Sequence, residues 1–164
     1  MSSMVIPVES FDLVIFGGTG DLAMRKLLPA LFHRDADGQI PAEARILGLA
    51  RTDQDTDAFK QEAREALQKH VAAAELDAVA VERFIARLSY LHIDVTDASG
   101  WGGLIDYLNQ QPQHIRVYYL AVGPSLFGVI AQGLSKAGLA TDKARLVVEK
   151  PLGHDLASAI ALNR

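Results

Sequence analysis

The residues best suited to chemistry in this sequence sit in a tight cluster after an apolar run: Gly17-Gly18-Thr19-Gly20-Asp21-Leu22-Ala23. From Gly18 the pattern is G-x-G-x-x-A, with a strand expected before it and a helix after it. Residues without a Cβ let the backbone turn sharply and approach a pyrophosphate. A helix amino end adds unpaired amides and a partial positive charge of roughly +0.5. The competing reading is a glycine-rich strand-to-helix turn with no ligand. A P-loop is excluded, because no Lys-Ser/Thr pair follows Gly20. Asp21 most simply caps the helix and is given no catalytic role.

Other chemistry-bearing residues recur after later apolar runs. Arg51 follows the second run directly, with no acid nearer than Asp53. Dinucleotide enzymes that prefer NAD place Asp or Glu there for the ribose 2′-hydroxyl, whereas Arg accommodates the 2′-phosphate of NADP. Thr52 beside it could hold the ribose, so NAD stays open as a weaker alternative. The plain reading of Arg51 is a solvated surface side chain. Asp94-Val95 would meet an adenine ring through the apolar Val95 and an accepting carboxylate; alternatively Asp94 caps a helix before Trp101. Ala121-Val122-Gly123-Pro124 offers small residues beside a coenzyme, or an ordinary turn. Lys150, before Pro151, puts a cation where a sugar phosphate or hydroxyl could be gripped, or is simply solvated. The five histidines show no metal-ligand spacing and read as surface or helix-flank residues; no metal site is expected.

These positions need a frame. Strands are expected at Asp12–Phe16, Arg45–Ala50, Tyr90–Val95, Ile115–Ala121 and Arg145–Glu149. Helices are expected at Leu22–His33, Asp57–Val71, Asp77–Leu88, Leu104–Gln110 and Ser125–Ala137, with a last one capped by Asp155 and running to Arg164. Pro29 lacks an amide donor and should kink the first helix or loosen a turn. Strand–helix alternation with β-branched strands implies an α/β fold, a doubly wound parallel sheet of the Rossmann-like, dinucleotide-binding kind. Its right-handed crossovers bring every strand's carboxyl end to one edge, where ligands bind near the switch point. Gly17–Gly20, Arg51, Asp94, Ala121–Pro124 and Lys150 all fall just beyond strand ends, so five separate segments are expected to share one crevice.

The 164 residues suit a single domain, 1–164, with one core. A net charge of −4 and a pI near 5.7 argue against non-specific binding to nucleic acid or anionic membranes. The absence of cysteine excludes disulfides and thiolate metal sites. No signal-peptide pattern or membrane-length apolar stretch is found, so a cytoplasmic location is expected.

Together the motifs resemble those of the glucose-6-phosphate dehydrogenase family. Phe16-Gly17-Gly18-Thr19-Gly20-Asp21-Leu22-Ala23 with Arg25-Lys26-Leu27 is similar to its coenzyme motif, and Gly48-Leu49-Ala50-Arg51 to its second-strand ending. Tyr119-Leu120-Ala121 resembles its fourth strand and Glu149-Lys150-Pro151-Leu152-Gly153 its fifth-strand signature. The resemblance implies that Gly17, Gly18, Thr19, Gly20, Asp21, Leu22 and Ala23 hold the pyrophosphate of NADP and Arg51 its 2′-phosphate. It implies that Lys150 touches both sugar and nicotinamide. The implied reaction is oxidation of glucose 6-phosphate to the 6-phosphogluconolactone, in an enzyme expected to be a homo-oligomer. Phe127 stands where some relatives carry a coenzyme-contacting tyrosine. The family's base, a histidine in an Arg-Ile-Asp-His-Tyr-Leu-Gly-Lys-Glu segment, has no counterpart here, so no catalytic residue is expected in these residues. Loss of such a base costs typically ~10²–10⁴-fold in rate. The sequence is therefore expected to be a truncated coenzyme domain. Two alternatives stand beside it. A short-chain dehydrogenase or epimerase would need Tyr-x-x-x-Lys, which none of the four tyrosines offers. The other is a non-catalytic NADP-sensing module.

Overall fold

The structure, a computed structural model, describes residues 9–148. Five strands, β1 Phe11–Phe16, β2 Arg45–Ala50, β3 Leu88–His92, β4 Ile115–Leu120 and β5 Ala144–Val148, form one sheet in the order β3-β2-β1-β4-β5. Every neighbouring pair is parallel. Strand order reverses between β1 and β4, which sets the switch point beside the Gly17 turn. The expected α/β doubly wound sheet is thus the observed one.

Strand alternation divides the core into two layers. Leu13, Ile15, Ile46, Leu88, Tyr90 and Tyr119 face α1 Leu28–Ala36, α2 Thr56–His70 and α3 Ala78–Ile85. Val14, Phe16, Leu47, Leu49 and Tyr118 face α4 Gly102–Asn109 and α5 Phe127–Lys136. All six residues of β1 are buried, as a central parallel strand covered on both faces requires.

Several element boundaries differ from expectation, and two places show a physical reason. The third strand is Leu88–His92, not Tyr90–Val95, and the preceding helix ends at Ile85. Leu88 fits a helical spacing with Phe84 and Ile85, but it also alternates with Tyr90, and pairing with Ile46 decides for the strand. The first helix, after one α turn at Asp21-Leu22, widens into a π turn over Ala23–Leu27, where the Leu28 amide bonds to the Ala23 carbonyl. Pro29 follows immediately and cannot continue an α-helical bond back along the chain, which accounts for the loosened turn.

At the amino ends of the strands lies a buried ionic cluster. Asp12, wholly buried, accepts from Arg45 through both carboxylate oxygens (2.8 and 2.7 Å) and contacts His114 Nδ1 at 2.9 Å. Arg45 also bonds Gln110 and the Tyr107 carbonyl, and stacks 4.1 Å from the Tyr107 ring centroid. His114 is therefore not a surface residue: it is 1% exposed. Its partner lies 102 positions away in sequence, so spacing alone could not reveal the pairing. The cluster pins β1, β2, α4 and the entry to β4 together, at the edge remote from the glycine turn.

Removing one member of a buried ion pair strands the other charges. Asp12→Ala is expected to lower the unfolding free energy by about 3 kcal/mol, read from the urea midpoint. Asp21→Ala, at an exposed pair, should leave that midpoint unchanged.

Candidate functional site

The glycine turn is shaped by contacts behind it. Gly17 has φ +84°, a left-handed conformation, and a Cβ there would lie 2.6 Å from the Ala121 carbonyl oxygen. A Cβ on Gly18 would come within 2.8 Å of the Gly48 Cα in β2. The turn is thus wedged between the ends of β2 and β4, and only bare backbone fits. Both the Gly17 and Gly18 amides donate to the Leu49 carbonyl (2.9 and 3.0 Å), and Gly20 donates to Gly17.

That leaves a defined set of donors. The amides of Thr19, Asp21, Leu22 and Ala23 have no backbone acceptor among the described residues, whereas Met24 bonds to the Gly20 carbonyl. Unpaired groups of this kind at a helix start suit an anion. Asp21 does not cap the helix as expected. Its carboxylate takes two hydrogen bonds from Arg25 (3.0 and 2.8 Å), which hold its pKa below the usual carboxylate range. The i,i+4 pairing draws the acid along the helix and keeps it off the free amides.

A crevice of about 530 Å³ opens in front of the turn. The ends of β1, β2 and β4 and the loop after β3 line it, through Gly17, Thr19, Gly20, Arg51, Asp94, Val95 and Ala121 among others. The positions singled out in the sequence within the described residues therefore converge. Leu22 and Ala23 stand just behind, in the first helical turn, with Ala23 buried and offering its amide rather than its side chain. Arg51 is exposed at the β2 mouth, and its guanidinium has no hydrogen bond among the described residues. Lys150, Pro151 and the last helix expected from Asp155 onward lie outside the described residues.

Asp94 is placed differently from expectation. It lies past the end of β3, where its carboxylate accepts from the Thr96 hydroxyl (2.6 Å) and amide (3.0 Å). Those bonds lower its pKa, with a smaller contribution from the Arg51 charge across the crevice mouth. The cap before Trp101 is supplied by Asp97, not Asp94. Val95 packs against the apolar layer of α4 and α5, leaving the crevice wall apolar there.

Sequence reasoning gave no role to the Tyr90 hydroxyl, which reaches the backbone on either side of Arg51, 2.6 Å from the Thr52 carbonyl and 3.1 Å from that of Ala50. Alternation marks Tyr90 as core, and nothing in its spacing announces the polar tip. Thr52 in turn approaches Thr19, hydroxyl to hydroxyl, at 3.4 Å. A second depression, at the remote edge, holds Arg45 and Arg87, but Asp12 and Asp35 already neutralise them. No cluster of metal-ligating side chains occurs among the described residues, and none of their helices is long and apolar enough to cross a membrane.

Comparison with known proteins agrees with this geometry. The family model described as "Glucose-6-phosphate dehydrogenase, NAD binding domain" matches residues 14–164. A glucose-6-phosphate 1-dehydrogenase of Rhizobium meliloti is 46% identical over 163 residues, covering 99% of this chain and 33% of its own. A crystal structure of the Mycobacterium avium glucose-6-phosphate 1-dehydrogenase superposes with a TM-score of 0.80 at 39% identity, over 94% of this chain and 32% of the other. A glucose-6-phosphate dehydrogenase solved in complex with glucose 6-phosphate gives 0.76 at 27% identity, over 99% and 34%. The chain thus spans about a third of the length of these relatives.

The wedge at Gly17 has a measurable consequence. Gly17→Ala forces a left-handed alanine against the Ala121 carbonyl and should cost about 3 kcal/mol or more of unfolding free energy in urea. Gly128→Ala, on α5 with open space around it, should be neutral or stabilising by up to ~1 kcal/mol.

Proposed function

The chain belongs to the glucose-6-phosphate dehydrogenase family, and from that premise we propose that its crevice binds NADP, with NAD as a weaker alternative. The observation that carries this reading is the meeting of two unneutralised features at one mouth. The free amides of Thr19, Asp21, Leu22 and Ala23 suit a pyrophosphate, and the unengaged guanidinium of Arg51 suits a 2′-phosphate. Gly17, Gly18 and Gly20 provide the close approach, and Ala121 leaves room beside the coenzyme. Val95 gives the adenine an apolar surface, with Asp94 as an acceptor at its edge.

When bound, the nicotinamide supplies a hydride acceptor. The reaction of the whole protein is then oxidation of glucose 6-phosphate at C1, giving 6-phospho-D-glucono-1,5-lactone, the first step of the oxidative pentose phosphate pathway. Lys150 is assigned to sugar and nicotinamide by its place in Glu149-Lys150-Pro151. The proton of the C1 hydroxyl needs a base, and these 164 residues contain no counterpart of the family's histidine segment. Taken alone, they are assigned to coenzyme binding rather than turnover. A cytoplasmic enzyme acting as a homo-oligomer completes the reading.

Titration calorimetry of the unmodified chain and Arg51→Ala with each coenzyme tests the assignment. A charge-assisted contact contributes ~1.5–3 kcal/mol, so the substitution should weaken NADP binding roughly ten- to hundred-fold and NAD binding far less. Equal losses for both coenzymes would remove Arg51 from the 2′-phosphate site. In a separate assay, the 164-residue chain mixed with NADP and glucose 6-phosphate should produce little or no absorbance at the NADPH band; robust production would contradict the coenzyme-binding role assigned to these residues alone.

A further inference from the structure

Arg51 stands on a short connection between β2 and α2, and the geometry of that connection is set from a neighbouring strand. The Ala50 carbonyl is already taken by the Ile93 amide at 2.8 Å. The Thr52 carbonyl has no donor among the described residues except the Tyr90 hydroxyl, at 2.6 Å. With one phenolic proton to give, Tyr90 gives it to Thr52, and the longer 3.1 Å contact to Ala50 is secondary. The same residue's amide donates to the Thr56 hydroxyl at 3.0 Å, at the start of α2. One tyrosine thus ties both ends of the segment from Thr52 to Thr56.

Burial makes this tether stiff. Tyr90 is 5% exposed, and its ring packs 5.3 Å from that of Phe59, which itself lies against Gly48. Burial raises the Tyr90 pKa, so the hydroxyl stays protonated and remains a donor. Thr52, held by its carbonyl, also meets Thr19 of the glycine turn. The backbone of Arg51 is therefore fixed on both sides, while its guanidinium is left free to face the crevice. An exposed arginine loses rotamer freedom on binding an anion, and a fixed backbone lowers the part of that cost borne by the chain.

We propose that Tyr90 is a positioning residue for coenzyme choice: its hydroxyl, by holding the Thr52 carbonyl, aims Arg51 at the 2′-phosphate. This rests on the assignment of Arg51 to that phosphate. Tyr90 itself is not among the residues that line the crevice.

The test is a double-mutant cycle by calorimetry on the chain, with Tyr90→Phe, Arg51→Ala and the pair, each titrated with NADP and NAD. Tyr90→Phe keeps the buried ring and deletes one neutral hydrogen bond. It should raise the NADP dissociation constant about three- to ten-fold and that of NAD less than about two-fold. In the Arg51→Ala background the same change should alter NADP binding by less than about two-fold. Phe59→Leu, which loosens the packing under the tyrosine without touching its hydroxyl, should affect both coenzymes alike. Equal loss of NADP and NAD in Tyr90→Phe, additivity with Arg51→Ala, discrimination by Phe59→Leu, or failure of Tyr90→Phe to fold would each overturn the proposal, since the hydroxyl would then serve the fold alone. If Arg51→Ala itself fails to discriminate, it is the phosphate assignment that falls, and the positioning role with it.

Discussion

The close approach of the Gly17-Gly18 turn to the end of β2 is the constraint on which the rest of the structure depends. Two consecutive amides converge on one carbonyl, Leu49, and the Gly18 backbone comes so near Gly48 that a side chain on Gly18 would push the turn away from β2. Because those two amides turn inward, the next unpaired donors fall at the helix start, facing out over the crevice. The local helix responds. It widens into a π turn after a single α-type bond from Met24 to Gly20, and its first acid pairs forward with Arg25 instead of folding back over the free amides. A cap by Asp21 would have satisfied those donors internally and weakened the site for an anionic ligand.

The two edges of the sheet are opposites in electrostatic design. At the amino edge the buried carboxylates are matched: Asp12 by Arg45 and His114, Asp35 by Arg87 with Arg83 at 3.9 Å. Such buried pairs contribute little net stability but fix geometry, because separating them is costly. At the carboxyl edge the helix amides and Arg51 are left without partners among the described residues, and that is where a ligand can supply them. With rigid pairing at one end and unmatched donors at the other, an anion at the carboxyl edge would have no internal contact to break first. Membership of the glucose-6-phosphate dehydrogenase family gives that arrangement its chemical context.

Local features were legible in the sequence and distant ones were not. β1 and the glycine turn could be read because a buried strand, a tight turn and a helix start are all encoded within about a dozen residues. Arg51 was legible for the same reason, lying one residue past an apolar run. The join between α3 and β3 was not, since Leu88 satisfies a helical and an alternating period at once, and only its pairing with Ile46 separates them. His114 looked like a flank residue because its acid is 102 positions earlier. Tyr90 looked like plain core: the ring explains its burial, and the target of its hydroxyl is visible only once β2 and β3 lie side by side. Polar tips on buried residues are a general blind spot of pattern reading, because periodicity reports which face is buried and not what the far atom meets.

The most direct test of the account is a crystal structure of the chain with NADP bound. It predicts pyrophosphate oxygens within ~2.7–3.2 Å of amides among Thr19, Asp21, Leu22 and Ala23, and the 2′-phosphate paired with the Arg51 guanidinium. A coenzyme bound with its phosphates away from that turn, or with Arg51 turned to solvent while the 2′-phosphate is held elsewhere, would contradict it.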